Sequence, residues 1–410
     1  MVKNLVGVQQ ITANHEAIVA AGLTTPTIFS PDISTLCNAE IYLKLENLQP
    51  TGSFKVRGAL LRLTNLDTDS RSRGVVAMSA GNHAQGVAYH ARNLGIPATI
   101  VMPSNTPFTK ISRTERLGAT VILAGESLSD SQKEADRLAK SEGLTLIHPY
   151  DDVDVITGQG TIALELLDAQ PDLDAIVVPI GGGGLISGIS VAAKGAKPEI
   201  DIYGVEAEQY ASMKAAMAGL DVDCGGPTVA EGIAVKSAGQ LTRKYVQENV
   251  ADIFISAEHE IEEAMQIYLR EQRLVVEGAG AAPLAAVLKN KEIFSGKKVG
   301  LIVSGGNVDS RLLSSVLLRG LVREGKLVRL RIEIADEPGR LSDLTEVIGA
   351  SGGNIVEVHH QRLFFDVPLK STEVDVTMET RDQHHVKEIQ SALDKAGYPS
   401  LLLSESGLTN

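Results

Sequence analysis

The chain has 410 residues, of which 43% are apolar and 22% are charged, and its formal net charge is −13. This length exceeds what one hydrophobic core usually organises, so two or three domains are predicted. The negative charge disfavours nucleic acid as a partner, and no apolar run in the sequence is long enough for a membrane-spanning helix. Cys37 and Cys224 are too few for a disulfide scaffold. His15 and Glu16 come too early for a secretory signal, so we expect a cytoplasmic protein.

Over roughly the first three hundred residues, short β-branched runs alternate with longer helical patterns, which is typical of an α/β protein with a largely parallel sheet. Apolar residues recur every three or four positions in helical segments such as 86–94 and 129–142. In such a doubly wound arrangement, ligands bind outside the carboxyl ends of the strands. Strands are predicted at residues 40–45, 74–78, 98–101, 120–123, 175–179, 201–205 and 298–303.

The pattern changes near Arg319, where residues 319–326 (RGLVREGK) are predicted to be a helix end or a linker. A second unit follows over residues 327–402, with 403–410 as a tail. The order β-α-β-β-α predicts a small α+β sandwich of the ferredoxin-like kind, which suits a regulatory or dimerising role. Its strands are predicted at 327–335, 354–359 and 373–379, and its last helix at 385–396.

Lys55 is the first candidate for chemistry. It follows the run Pro-Thr-Gly-Ser-Phe, so we expect it at the start of a helix over residues 56–66, with the ring of Phe54 beside it. Desolvation and the positive end of the helix both disfavour a charged amine, so the pKa of Lys55 should fall. A neutral amine is the nucleophile that can bind an aldehyde covalently. Taken alone, the same residues favour a surface lysine after a turn.

A run of four glycines follows the predicted strand at 175–179. Several successive backbone N–H groups can point at one anion there, and the next helix adds its positive end, so a phosphate is the expected ligand. The residues are Gly181, Gly182, Gly183 and Gly184, with Leu185 next. The run also approaches the G-x-G-x-x-G pattern, with Glu206 about twenty residues on, which fits a nicotinamide oxidoreductase. That alternative leaves Lys55 without a role.

Two further polar loops follow predicted strands. Ser79, Asn82 and His83 come after the strand at 74–78 and can donate hydrogen bonds to a carboxylate or a ring oxygen. The alternative for Ser79 is a helix N-cap. Ser304, in the run SGGN after the strand at 298–303, can face a heterocyclic nitrogen or stabilise its own loop.

Taken together, these loops resemble the threonine and serine dehydratases of the tryptophan-synthase-β type, which are fold type II enzymes dependent on pyridoxal 5'-phosphate. The matching stretches lie between about residues 25 and 310 and are LKLENLQPTGSFKVRGA, SAGNHAQGVA, GQGTIALE, PIGGGGLISG, VEGAGAAPLAA and SGGNVD. The resemblance implies a catalytic domain over residues 1–318, with a smaller α/β subdomain at about 50–155 inserted in a larger one. The second unit, with DEPGRLSDLTEVIG and GGNIVEVHHQR, resembles an ACT regulatory domain.

The resemblance also implies roles for single residues. Lys55 would bind the cofactor covalently and act as the base at Cα, beside Phe54. Asn82 would hold the cofactor's ring oxygen, and Ser304 its pyridine nitrogen. The phosphate would be held by Gly181, Gly182, Gly183, Gly184 and Leu185, and the substrate carboxylate by Ser79, Asn82 and His83. The expected reaction is β-elimination from L-threonine, and more slowly from L-serine, to 2-oxobutanoate or pyruvate and ammonia.

Some positions distinguish close relatives. Serine racemases of this family have a serine directly before Gly-Asn-His, whereas this chain has Ala80, so racemisation should be weak. Ser212 replaces an expected aspartate near Glu206, which implies a monovalent cation there or none. Threonine synthase and serine racemase remain alternatives on the same scaffold. The ACT resemblance implies a homo-oligomer, expected to be a tetramer, that binds isoleucine or valine at Gly339, Leu341, Asn354 and Ile355.

Overall fold

The structure is a computed structural model that describes residues 6–361 and 371–403. The chain divides into two compact units, Met1–Asp309 and Ser310–Asn410. The division falls before the expected boundary at residue 318, because Ser310–Arg323 form one continuous helix that groups with the second unit. The expected linker at 319–326 therefore begins inside that helix. In the described part of the chain, no helix is long and apolar enough to cross a membrane.

The first unit contains ten strands and fourteen α-helices within the described residues. The strands are β1 (Thr27–Phe29), β2 (Glu40–Leu45), β3 (Val75–Met78), β4 (Ala98–Met102), β5 (Thr120–Leu123), β6 (Thr145–Leu146), β7 (Ala175–Pro179), β8 (Asp201–Ala207), β9 (Asp252–Ser256) and β10 (Lys298–Val303). The helices are α1 (Val8–Ala20), α2 (Pro31–Cys37), α3 (Lys55–Thr64), α4 (Thr68–Arg73), α5 (Asn82–Leu94), α6 (Phe108–Arg116), α7 (Leu128–Glu142), α8 (Val153–Ala169), α9 (Gly184–Ala196), α10 (Ser212–Met217), α11 (Gln240–Asn249), α12 (Glu258–Gln272), α13 (Gly278–Lys289) and α14 (Lys291–Phe294).

All seven strands predicted for this unit are confirmed. The larger sheet has the order β1-β2-β10-β7-β8-β9, and it is parallel except for β1 at its edge. Every residue of β7 is buried, as expected for a parallel strand covered on both faces. β1, β6 and β9 were not predicted. β1 and β6 have three and two residues, which are too short to show a period of two. β9 has five residues, and no prediction covers its short apolar run at 253–255.

The smaller sheet has the order β5-β4-β3-β6 and is parallel throughout. All four of its strands lie between β2 and β7 in the chain. Its core contains apolar residues of β3, β4 and α5, among them Ala77, Ile100 and Val87. The unit therefore contains two largely parallel sheets, each with its own helices. Helix α3 contacts both α5 and α8.

The second unit is a small α+β fold, as predicted. After α15 (Ser310–Arg323) come β11 (Leu327–Ala335), α16 (Arg340–Ala350), β12 (Asn354–Gln361), β13 (Ser371–Glu379), α17 (Gln383–Lys395) and β14 (Ser400–Leu402). The antiparallel sheet has the order β12-β13-β11-β14, so β14 adds an edge strand to the predicted order. Alternate residues of β11, such as Leu330 and Ile332, are buried with apolar residues of α16 and α17. Most of the predicted tail, residues 404–410, lies outside the described residues.

Candidate active site

The loop before α3 and the loop after β10 are joined by backbone contacts. Ser53 forms an antiparallel bridge with Gly305, and the Phe54 N–H donates to the carbonyl of Ser304 over 3.1 Å. The Gly306 N–H donates to the carbonyl of Gly52 over 2.9 Å. These contacts bring Lys55, at the first position of α3, beside the buried Ser304.

Lys55 has the surroundings expected of a nucleophilic amine. Its Nζ lies 2.9 Å from the carbonyl oxygen of Pro149, to which it donates, and 5.1 Å from the ring centroid of Phe54. Burial lowers the pKa of Lys55 to about 8, although the carboxylate of Glu277 opposes the fall. A substantial fraction of the amine is therefore neutral near pH 8.

A buried ion cluster lies under the same helix. Arg57 donates through Nε and Nη2 to Glu46, over 2.8 Å each, and through Nη1 and Nη2 to Glu165, over 2.5 and 2.9 Å. The Nζ of Lys44 lies 2.6 Å from Glu165. Two cations and two carboxylates thus join β2, the turn after it, α3 and α8 without a net charge. The cluster anchors the first turn of α3, two residues from Lys55.

Asn82 begins α5, and its side-chain amide is held from two sides. Its Nδ2 donates to Oε1 of Glu277 over 2.8 Å, and its Oδ1 accepts from Nδ2 of Asn307 over 2.8 Å. Glu277 was missed as a site residue in the sequence. The available signal was a single carboxylate directly before the small-residue run GAGAAPLAA.

The side chains of His83 and Ser79 both have hydrogen-bond partners within the protein. The His83 ring is buried, and its Nε2 lies 2.9 Å from the carbonyl of Ile147, so Nε2 is the donor. Burial lowers the pKa of His83 to about 3, which keeps the ring neutral. Ser79 is not the N-cap: Gly81 is, no side chain caps the helix, and Ser79 Oγ accepts the Gly81 N–H. Backbone N–H groups at the start of α5, including that of His83, are therefore what this loop offers an anion.

The glycine run has a defined conformation. Gly183 has φ +94° and precedes α9, whose start has no side-chain cap. The Thr242 hydroxyl donates to the carbonyl of Gly182 over 2.7 Å. A Cβ at Gly182 would lie 2.3 Å from the ring of Tyr150, and one at Gly184 would lie 2.8 Å from the carbonyl oxygen of Tyr150. Larger residues are excluded, so this is a fixed anion cradle at a helix N-terminus rather than a flexible turn.

Glu206 and the predicted effector residues lie elsewhere. The Glu206 carboxylate accepts the N–H groups of Met213 and Lys214, over 2.7 and 2.9 Å, at the start of α10. Among the described residues, no group of three His, Cys, Asp or Glu side chains could hold a metal ion.

In the second unit, Gly339 has φ +94° before α16, and Asn354 Nδ2 donates to Glu379 over 2.7 Å. The remaining effector candidates, Leu341 and Ile355, pack against the unit's core.

The site residues fit the pyridoxal phosphate that the family resemblance implies. A Cβ at Gly182 or Gly184 would clash with Tyr150, so the cradle keeps its backbone exposed to a ligand. The starts of α5 and α9 lack side-chain caps, and the nearby hydroxyls of Thr51 and Ser53 are buried without a partner. These features together suit a ligand that carries a phosphate, a polar ring and an aldehyde.

Comparison with known proteins agrees with this geometry. An L-threonine ammonia-lyase of Thermotoga maritima is 44% identical over 376 residues, which are 91% of this chain and 94% of that protein. The solved threonine deaminase isoform 2 of Solanum lycopersicum, in its processed form, is 33% identical with a TM-score of 0.72 and covers 77% of this chain and 95% of its own. Maize serine racemase is 34% identical with a TM-score of 0.72, covering 78% and 100%. A family model described as pyridoxal-phosphate dependent enzyme matches residues 19–305, and the chain belongs to that family.

Proposed function

We propose that the chain is an L-threonine ammonia-lyase that converts L-threonine, and more slowly L-serine, to a 2-oxo acid and ammonia. The observation that carries this proposal is the lysine amine with a lowered pKa, placed in one unit with the uncapped starts of α5 and α9. Relatives named L-threonine ammonia-lyase match over most of the chain and support it. The match to a family of pyridoxal-phosphate dependent enzymes argues against the nicotinamide oxidoreductase alternative.

Each residue has a defined task in this reaction. When bound, pyridoxal phosphate supplies an electron sink that lowers the barrier to proton loss at Cα. Lys55 would hold the cofactor through its aldehyde carbon and would be the base that accepts the Cα proton of the substrate. Backbone N–H groups at Gly181, Gly182, Gly183, Gly184 and Leu185 hold the phosphate, and those at the start of α5 orient the substrate carboxylate. Leu185 contributes only its backbone, because its side chain belongs to the hydrophobic core.

Asn82 and Ser304 select the reaction. The Asn82 amide would donate to the cofactor's ring oxygen, and the Ser304 hydroxyl would hold its pyridine nitrogen. A neutral hydroxyl there would not keep that nitrogen protonated, so the cofactor would supply a milder electron sink, which suits β-elimination. Ala80 has no proton to return to Cα, which disfavours racemisation even though solved serine racemases share the fold.

We further propose that residues 327–402 form an amino-acid effector module of the ACT type. Its candidate contacts are Gly339, Leu341, Asn354 and Ile355, and isoleucine or valine is the expected effector. The expected assembly is a homotetramer in the cytoplasm, with a monovalent cation near Glu206 if any. Addition of isoleucine or valine to the assay, combined with light scattering, tests the effector and the assembly.

Product analysis tests the main proposal. The purified protein should form 2-oxobutanoate from L-threonine, and Lys55→Ala should abolish both this product and the visible absorption of the bound cofactor. Lys133→Ala is the matched control, because Lys133 is an exposed lysine of α7 that pairs with Asp130 in the same helix. Absence of 2-oxobutanoate from the wild-type protein would refute the proposed function.

A further inference from the structure

Glu277 is a nearly buried carboxylate that the proposed reaction does not use. It is 9% exposed and lies directly before α13. Two glycines enclose it: a Cβ at Gly305 would lie 2.3 Å from Oε1, and one at Gly232 would lie 3.2 Å from it. The carboxylate therefore occupies a space that the surrounding backbone leaves for it.

The hydrogen bonds of Glu277 reach the cofactor site. Oε1 accepts from Nδ2 of Asn82 over 2.8 Å, and the carboxylate also accepts the backbone N–H of Asn307. The side-chain amide of Asn307 donates both to Oδ1 of Asn82 and to the carbonyl of Thr51, over 2.8 and 2.7 Å. Asn307 thus anchors the oxygen of the Asn82 amide while Glu277 anchors its nitrogen.

An ionised carboxylate accepts hydrogen bonds but cannot donate them. As long as Glu277 is ionised, the Asn82 amide must therefore present Nδ2 to it. One of the two Nδ2 hydrogens then remains free for another acceptor. A protonated or amide side chain at 277 can donate as well as accept, so the orientation of the Asn82 amide then depends on Asn307 alone.

Burial places the titration of Glu277 near neutrality. Burial raises the pKa of Glu277 to about 7, against the hydrogen bonds from Asn82 and Asn307; Glu231 also raises it and Lys110 lowers it. The carboxylate in turn opposes the fall in the pKa of Lys55. Lys110 Nζ lies 2.6 Å from Oε2 of Glu231, whose side chain is 64% exposed. Because the two charges pair with each other and act in opposite directions on Glu277, they change its pKa less than burial does.

We propose that Glu277 is a positioning residue, whose ionised carboxylate fixes the Asn82 amide so that Nδ2 donates to the ring oxygen of pyridoxal phosphate. This inference rests on the role of Asn82 in the proposed function. It adds a residue that acts through Asn82 and gives cofactor binding a dependence on pH.

Titration of the cofactor-free, full-length protein with pyridoxal 5'-phosphate tests the proposal without relying on turnover. In Glu277→Gln, the dissociation constant at pH 8 should rise about 10- to 100-fold relative to the wild type, the range for a lost hydrogen bond to a charged group. The ratio of the variant's dissociation constant to that of the wild type should fall towards one at pH 5.5, because Glu277 is then protonated in the wild type. Glu231→Gln is the matched control, since it removes a nearby carboxylate without touching Asn82, and its ratio should stay within about threefold.

Asn307→Ser provides a second variant with the opposite trend. At pH 8 the ionised Glu277 still orients Asn82, so the loss of affinity should be smaller than in Glu277→Gln. At pH 5.5 neither anchor remains, so the dissociation constant should rise relative to the wild type. This variant also decides the matter if Glu277→Gln does not fold.

Equal affinities of Glu277→Gln and the wild type at pH 8, or a ratio that does not change with pH, would overturn the inference. A parallel trend in the two variants would also overturn it. A wild-type protein that binds no cofactor or forms no 2-oxobutanoate would instead overturn the proposed function, so the two failures are distinguishable.

Discussion

Arg57 provides the sharpest test of how the Lys55 helix is held. Its guanidinium is fully buried and donates to both Glu46 and Glu165. In Arg57→Met, two buried carboxylates share a single remaining cation, Lys44. The side chain of methionine fills much of the space but donates no hydrogen bonds.

The expected loss of stability is large. Removing one partner of a buried ion pair costs about 3–5 kcal/mol, because an uncompensated charge stays in the interior. Arg62 of the same helix is the matched control: it is 21% exposed and lies 3.1 Å from Asp152. A partly exposed pair of this kind contributes about 0–1 kcal/mol, so Arg62→Met should be mild.

The loss in Arg57→Met should depend on pH. A carboxylate that loses its cation has a folded-state pKa above its unfolded value of about 4.3. This carboxyl therefore contributes most to the stability of the folded protein, relative to the unfolded chain, below about pH 4.3, where it is protonated in both states. That contribution to stability is lost as the pH rises through the folded-state pKa. The difference between Arg57→Met and the wild type should thus be smaller at pH 5 than at pH 8.

Urea denaturation followed by far-ultraviolet circular dichroism measures this effect on the cofactor-free protein. The same samples, titrated with pyridoxal 5'-phosphate, report whether Lys55 has been displaced, and we expect weaker binding. A denaturation midpoint for Arg57→Met no lower than that of Arg62→Met would refute the view that the cluster anchors α3. So would a loss of stability that is the same at both pH values.

Three further changes test other parts of the site. Gly182→Ala places a Cβ 2.3 Å from the Tyr150 ring, so cofactor affinity should fall at least about tenfold; an unchanged dissociation constant would show that the cradle is not rigid. Ala80→Ser should introduce measurable D-serine formation from L-serine, detected by chiral chromatography, and its absence would show that a hydroxyl at this position does not reach Cα. Glu206→Gln keeps one carbonyl acceptor and cannot ionise, so it resembles the protonated wild-type carboxyl. Because burial raises the pKa of Glu206 to about 7, the stability of the wild type should fall as the pH rises through 7 whereas that of the variant should not, so any deficit of the variant in urea denaturation should be larger at pH 5 than at pH 8; a deficit that grows with pH would contradict this.

Local patterns in the sequence determined the elements and the identity of the loops. β-branched runs predict seven of the ten strands that the structure describes in the first unit, and alternation predicts β11, because side-chain period and burial are properties of consecutive residues. The start of α3 at Lys55 and the glycine cradle follow from residues within a few positions of each other. The joint occurrence of these loops, in this order along the chain, is what resembles a known family.

Only the tertiary structure decided which groups meet across the chain. Asn82 and Glu277 are 195 residues apart, and Arg57 and Glu165 are 108 apart, and no spacing rule relates such positions. The same holds for the His83 ring, whose partner is a backbone carbonyl on a neighbouring segment, and for the helix Ser310–Arg323, whose grouping depends on what it packs against. The sequence therefore determined which side chains could do chemistry, whereas their charge states depend on burial and on long-range partners, which exist only once the chain has folded.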